Sequence, residues 1–148
     1  MKTSSDDCIK LIKKFEGLSL KPYLCPAKIP TIGYGSTKYA DGKRVTLADR
    51  NITEQEAEEL LRTTLKSYEN GVNSVVEVEL TQNQFDALVD FSYNLGNMAF
   101  KESTLLKYIN DNNFYMASGE FKRWVKSKGV VLPGLVKRRK AEMDLFLS

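Results

Sequence analysis

The longest helical signal in this chain dictates its architecture. Thr53-Glu54-Gln55-Glu56 forms a capping box, and Ala57, Leu60, Leu61, Leu65, Tyr68, Val72 and Val75 follow it at helical spacing. The stripe lasts roughly five turns, about 30 Å of rod. A rod that long outreaches a small lobe, so the pattern predicts a helix over residues 54–76 that joins two lobes. Gly71 interrupts it, at a cost of about 1 kcal/mol relative to Ala.

The segments on either side differ in kind. Ile9, Leu11, Ile12 and Phe15, opposed by Lys10, Lys13 and Lys14, predict an amphipathic helix over 7–16, capped by Asp6 or Asp7 and ended by Gly17. Residues 18–47 then abandon helix, because Pro22, Pro26 and Pro30 forbid a continuous one. Thr31–Tyr39 and Lys43–Leu47 flank the turn signal Asp41-Gly42, so a β-hairpin or three-stranded sheet is expected there. Gly33 and Gly35 allow the backbone to come close to a neighbour, a sugar among the candidates.

Residues 80–148 read as helices. A second capping box, Thr81-Gln82-Asn83-Gln84, opens one with Phe85, Leu88, Val89 and Ser92 inward, ending at Asn94-Leu95-Gly96. Ser103 caps another with Leu105, Leu106 and Ile109. Asn112 or Asn113 precedes a stripe of Phe114, Ala117, Phe121, Trp124 and Val125, with Trp124 read as core. Pro133-Gly134 starts the last, bearing Leu135, Arg138, Glu142, Leu145 and Phe146. The fold class is α+β and mainly helical, and residues 1–148 form a single domain of two lobes. A chain of this length buries about two-thirds of its unfolded surface and folds without disulfide or metal.

Composition narrows the chemistry. The chain has no His, which removes Ser–His and Cys–His nucleophile pairs and imidazole zinc sites. Acid–base work falls to Glu, Asp, Lys, Tyr or Cys. Two cysteines, Cys8 and Cys25, make no structural zinc site, and whether they pair stays open. Net charge is +3, yet Lys122, Arg123, Lys126, Lys128, Lys137, Arg138, Arg139 and Lys140 crowd the C-terminal part. Such a field favours a polyanion, nucleic acid or bacterial wall, although a plain solvated face is the commoner explanation. No apolar h-region and no run of 18 apolar residues occurs, so no signal peptide or membrane span is expected.

Glu16 ends the first helix beside Phe15, Leu18 and Leu20, an apolar wall suited to a carboxylic acid that donates its proton to a glycosidic oxygen. Read alone, it is more readily a surface carboxylate at a helix end. The stretch Phe15 to Gly35, Phe-Glu-Gly-x-x-Leu-x-x-Tyr-x-Cys ending in Pro-Thr-Ile-Gly-Tyr-Gly, resembles the signature of phage-type lysozymes, glycoside hydrolase family 24. Leu80–Leu88, Asn94-Leu95-Gly96, Phe100–Asn110 and Leu132–Arg139 with Glu142 are similar to the family's later segments.

The resemblance implies a lysozyme-like fold: a small β lobe over 18–52, a helical lobe over 80–148, and the helices 7–16 and 54–76. It implies a muramidase that cleaves the β-1,4 bond between N-acetylmuramic acid and N-acetylglucosamine, with inversion. The family's Glu, eight residues, Asp or Cys, five residues, Thr falls on Glu16, Cys25 and Thr31. Glu16 is then the general acid, while Cys25 and Thr31 position or activate water. A thiol acts as base only when its acidity is raised, so a mechanism resting on Glu16 alone stays open. Tyr34, Gly35, Asn94 and Arg138 are candidate substrate contacts; Asn94 is alternatively a helix C-cap, and Arg138 a partner for a carboxylate. Cys8 is expected to be a buried apolar residue.

Peptidoglycan is the expected partner, the chain a monomer, and no metal or cofactor is implied. Lysis at the end of phage infection would follow, with the protein waiting in the host cytoplasm, or reaching the periplasm through an upstream signal-anchor. A lytic transglycosylase, a non-catalytic wall-binding module and, more distantly, a nucleic-acid binder are the rival readings.

Overall fold

A computed structural model describes all residues, 1–148. Seven α-helices and two small antiparallel hairpins make it mainly helical. By internal packing the chain divides into two compact units, Ile12–Lys66 on one side and Met1–Leu11 with Ser67–Ser148 on the other. The divisions fall inside helices α1 (Asp6–Glu16) and α2 (Glu54–Val75), which contribute residues to both.

In the unit Ile12–Lys66, strand β1 (Ser19–Leu24) pairs with β2 (Pro30–Gly33). The paired elements differ from the expected Thr31–Tyr39 and Lys43–Leu47. The Asp41-Gly42 turn does form, with Gly42 N–H donating to the Tyr39 carbonyl at 3.0 Å, but only an isolated bridge, Lys38 to Arg44, follows it. Two backbone bonds of 2.9 Å flank that bridge, from Tyr39 N–H to the Lys43 carbonyl and from Val45 N–H to the Thr37 carbonyl. Asp49 accepts from the Tyr39 hydroxyl at 2.7 Å, the Thr46 hydroxyl at 2.7 Å and the Thr46 N–H at 2.8 Å, which offers the backbone an alternative to strand pairing. Ile12, Ile32, Tyr34, Val45, Ile52, Ala57, Leu60, Leu61 and Leu65 are the core of this unit.

Both capping boxes are present. Thr53 and Glu56 exchange bonds of 3.1 and 3.0 Å at the start of α2, and Thr81 and Gln84 do so at 3.1 and 2.9 Å before α3 (Gln82–Leu95). The cap of α1 falls to Ser5, whose hydroxyl accepts from Asp7 N–H at 3.2 Å, because Asp6 and Asp7 already lie inside the first turn. Gly71 has a packing purpose as well as a propensity cost. A Cβ there would stand 2.4 Å from Oδ1 of Asn97, whose side chain lies against α2.

The second unit is built on α3, which is buried from Phe85 through Ser92. Helices α4 (Asn97–Lys101), α5 (Thr104–Asn110), α6 (Phe114–Glu120) and α7 (Pro133–Leu147) complete it. Phe91 is its aromatic centre, meeting Phe100, Phe121 and Trp124 edge-on at 6.1, 5.8 and 5.5 Å, an arrangement that favours aromatic pairs beyond simple burial. The single helix expected over Phe114–Val125 ends at Glu120; a 3₁₀ turn, Phe121–Arg123, and a hairpin of β3 (Lys126–Ser127) and β4 (Val130–Val131) follow. Lys128 and Gly129 at φ 50° and 79° make its two-residue turn.

Candidate active site

Glu16, Cys25, Thr31, Tyr34 and Gly35 all belong to the unit Ile12–Lys66. Glu16 is the last residue of α1, which stops because Gly17 adopts φ 70°, a left-handed conformation only glycine takes without cost. Its half-buried side chain borders a recess of about 300 Å³ with Gly17, Leu18, Ser19 and Tyr23. Leu18 and Leu20 are each 40% exposed, so the apolar wall expected from them is open to solvent.

Cys25 and Thr31 are joined by a tight turn. The Lys28 N–H donates to the Cys25 carbonyl at 2.7 Å, with Pro26 in the position that pre-sets a turn and Lys28 left-handed at φ 61°. The Cys25 N–H donates to the Ile29 carbonyl at 3.1 Å, which returns the chain antiparallel. Tyr23 therefore stands opposite Thr31, and Leu24 opposite Pro30. Residues two apart on a strand share a face, so Tyr23, Cys25 and Thr31 lie on one side of the hairpin.

The hairpin raises the acidity of Cys25. Hydrogen bonds from the backbone at Ile29 and Ala27 and from the Thr31 side chain lower its thiol pKa below the ordinary value, against a smaller opposing effect of desolvation. Backbone amides, rather than the Lys28 ammonium, do this. Thr31 is buried, and its hydroxyl donates to the Ile29 carbonyl at 2.8 Å. With one proton to give, that hydroxyl serves either the carbonyl or the sulfur.

Tyr34 and Gly35 form a second turn. Ile32 and Ser36 exchange two backbone bonds of 2.9 Å, with Gly33 and Gly35 at φ 69° and 92°. Gly33 faces Ala57, 3.6 Å from where a Cβ would be, so the close approach here is to the protein's own α2. Tyr34 is buried, with the Lys13 ammonium 5.5 Å from its ring centroid and Lys13 paired to Glu58.

Asn94 and Arg138 belong to the other unit, where they serve a buried charge network. Asp86, Asp90 and Asn94 recur every four residues along α3. Arg138 grips Asp90 in bidentate fashion at 3.0 and 2.8 Å, and Arg139 donates to Asn94 at 2.7 Å and to Glu142 at 3.0 Å. Burial and the neighbouring Asp90 push the Glu142 carboxyl well above the usual carboxylate range, against the pull of the two guanidiniums. Gly96, rather than Asn94, closes α3. The basic C-terminal patch is smaller than its sequence suggests, since Arg138 and Arg139 are both buried against these acids. Asp90 was not among the residues the sequence singled out, and Tyr23 entered only as the Tyr of the Phe15–Cys25 signature. The four-residue spacing of acids inside an otherwise apolar helix signals the first, and the place of Tyr23 two residues before Cys25 signals the second.

Cys8 is fully buried, and burial and the Asp86 charge push its thiol far up, while Cys25 is half-exposed; both are free. No group of three or more Cys, Asp or Glu side chains gathers to hold a metal ion.

A helical protein with a Glu closing its first helix and a Cys–Thr hairpin after it matches the family model for phage lysozyme over residues 13–142. The chain is 46% identical over 140 residues to the endolysin of Bacillus phage B103, a match covering 95% of this chain and 52% of that one. Among solved structures, a variant of the P22 lysozyme superposes with a TM-score of 0.89 at 38% identity, covering all of both chains. The muramidase domain of SpmX from Asticaccaulis excentricus does so with 0.87 at 35% identity, covering 100% of this chain and 99% of that one. The chain spans about half the length of the endolysins of Bacillus phages B103 and PZA. It belongs to the phage lysozyme family.

Proposed function

We propose that this chain is a muramidase, a peptidoglycan hydrolase that cleaves the β-1,4 bond between N-acetylmuramic acid and N-acetylglucosamine. Glu16, in its acid form, protonates the glycosidic oxygen as the bond from that oxygen to the anomeric carbon breaks. Thr31 and Cys25 hold a water on the opposite face. The water attacks the anomeric carbon, its proton passes to the Cys25 thiolate, and the sugar leaves with inverted configuration. Solvent then restores the proton to Glu16 and removes that on Cys25. Tyr34 and Gly35 are the candidate substrate contacts of the unit that carries Glu16, and Asn94 and Arg138 are those of the helical unit.

The observation that carries this reading is the hairpin: it sets Cys25 and Thr31 on one face and lowers the thiol pKa without a cation. That is what a thiol needs to stand where a carboxylate otherwise would. The muramidase named among the solved relatives supports the substrate class. A phage endolysin of this kind would act as a monomer and lyse its host at the end of infection. It would wait in the cytoplasm until released, or reach the periplasm through an upstream signal-anchor. No helix here is long and apolar enough to cross a membrane.

Purified Glu16→Gln, assayed by loss of turbidity of outer-membrane-permeabilised cells, is expected to bind walls and not clear them. Full clearing would overturn the assignment. Mass spectrometry of digested muropeptides separates hydrolysis from transglycosylation, whose anhydro product is lighter by one water.

A further inference from the structure

Tyr23 stands where the two halves of the proposed chemistry meet within one unit. Its Cα is registered opposite Thr31 across the β1–β2 ladder, and directly opposed residues share a face with their side chains in reach. The same residue lines the recess of about 300 Å³ that Glu16 borders. It remains 38% exposed, whereas its neighbour Pro22 takes the buried face of β1. A tyrosine kept for packing would have been expected on the Pro22 side.

Resting on the muramidase reading, we propose that Tyr23 is a substrate-contacting residue: its ring walls the sugar beside Glu16, and its hydroxyl donates a hydrogen bond to that sugar. A sugar offers an apolar C–H face and several oxygen acceptors, and tyrosine matches both with an apolar body and a polar tip. The recess is at the small end of the range for small-molecule sites, the scale of one sugar residue rather than a chain. Burial and the charges of Glu16 and Cys25 push the phenol pKa up. The hydroxyl therefore remains a neutral donor throughout the range in which a carboxylic acid and a thiol would work, and both of those groups act on it.

The test is steady-state kinetics on soluble peptidoglycan fragments with Tyr23→Phe and Tyr23→Leu, run beside Glu16→Gln and thermal unfolding. Tyr23→Phe is expected to keep the parental Tm and lose about three- to tenfold in kcat/KM, the effect of one hydrogen bond to a neutral group. Tyr23→Leu is expected to raise KM about tenfold further, as the wall for the sugar is removed. Parental kinetics in the Phe variant would overturn the hydroxyl's role, and parental KM in a folded Leu variant would overturn the ring's. Either result leaves the muramidase reading standing. That reading falls instead if Glu16→Gln stays active.

Discussion

Replacing Arg138 with Met tests how the buried charges of the helical unit are held. Arg138 is 4% exposed and Asp90 is fully buried, joined at 3.0 and 2.8 Å. Methionine keeps an apolar stem but strands the Asp90 carboxylate in the interior, beside Glu142. Removing one partner of a buried pair costs about 3–5 kcal/mol, against up to about 1 kcal/mol for a solvated pair. An unfolding entropy of about 2.1 cal/mol/K per residue, over 148 residues, gives roughly 0.3 kcal/mol/K. The expected fall in Tm is therefore about 10–16 °C. Urea and thermal unfolding of Arg138→Met, Asp90→Leu and the double variant complete a cycle, and the double variant should recover most of the loss because it buries no unpaired charge. A single variant within about 1 kcal/mol of the parent would refute the argument. Specific activity measured well below Tm separates this from substrate contact. A folded Arg138→Met that has lost its activity would show that the guanidinium serves activity beyond the stability of its pair with Asp90.

Three further outcomes follow from the same reasoning. Glu142 has its pKa raised in the folded state, so its contribution to stability is complete below the unfolded carboxylate value and is lost as pH rises through the folded one. Glu142→Gln should thus unfold at the same urea concentration as the parent near pH 4 and at a higher one near pH 8; a less stable variant at pH 8 would contradict this. Gly71→Ala should fail to deliver the roughly 1 kcal/mol that helix propensity promises, since the new methyl displaces the Asn97 amide. Adding Asn97→Ala should restore the gain, and a Gly71→Ala variant that is stabilised alone would show that the amide moves freely. Iodoacetamide should modify Cys25 first and with loss of activity, at a rate whose pH midpoint lies below that of an ordinary thiol. Cys8 should resist until the protein unfolds, and equal reactivity of the two would sink the assignment.

The helices were legible because their signals are local. Capping boxes at Thr53 and Thr81 and the stripe from Ala57 to Val75 carry their own hydrogen-bond partners and periodicity within a few residues. Strand pairing is not local in that way. Pro22 lowers the strand signal of Ser19–Leu24, yet it costs little where the register slips between Ser19 and Tyr23. The Asp41-Gly42 turn was visible, but that pairing beyond it stops at a single bridge was not. Arg138 and Arg139 looked like surface charge for a related reason. Whether a guanidinium is solvated depends on acids such as Asp90, which lies 48 residues away in sequence.

The site was legible as a spacing before it was legible as chemistry. Five residues separate Cys25 from Thr31 because a four-residue turn, Cys25 to Lys28, followed by Ile29 and Pro30, returns the chain to the face that Cys25 left. That geometry also supplies the backbone donors at Ala27 and Ile29 that lower the thiol pKa. Lys28, the cation nearest to Cys25 in sequence, occupies the left-handed turn position and is exposed. Lys28→Gly accordingly separates the two accounts. If backbone amides govern the sulfur, the pH midpoint of Cys25 alkylation is unchanged, and relief of the left-handed strain adds up to about 1 kcal/mol of stability. A midpoint that rises towards the ordinary thiol value would instead assign the effect to the ammonium, and the proposed substitution of thiol for carboxylate would then depend on one mobile side chain rather than on the hairpin itself.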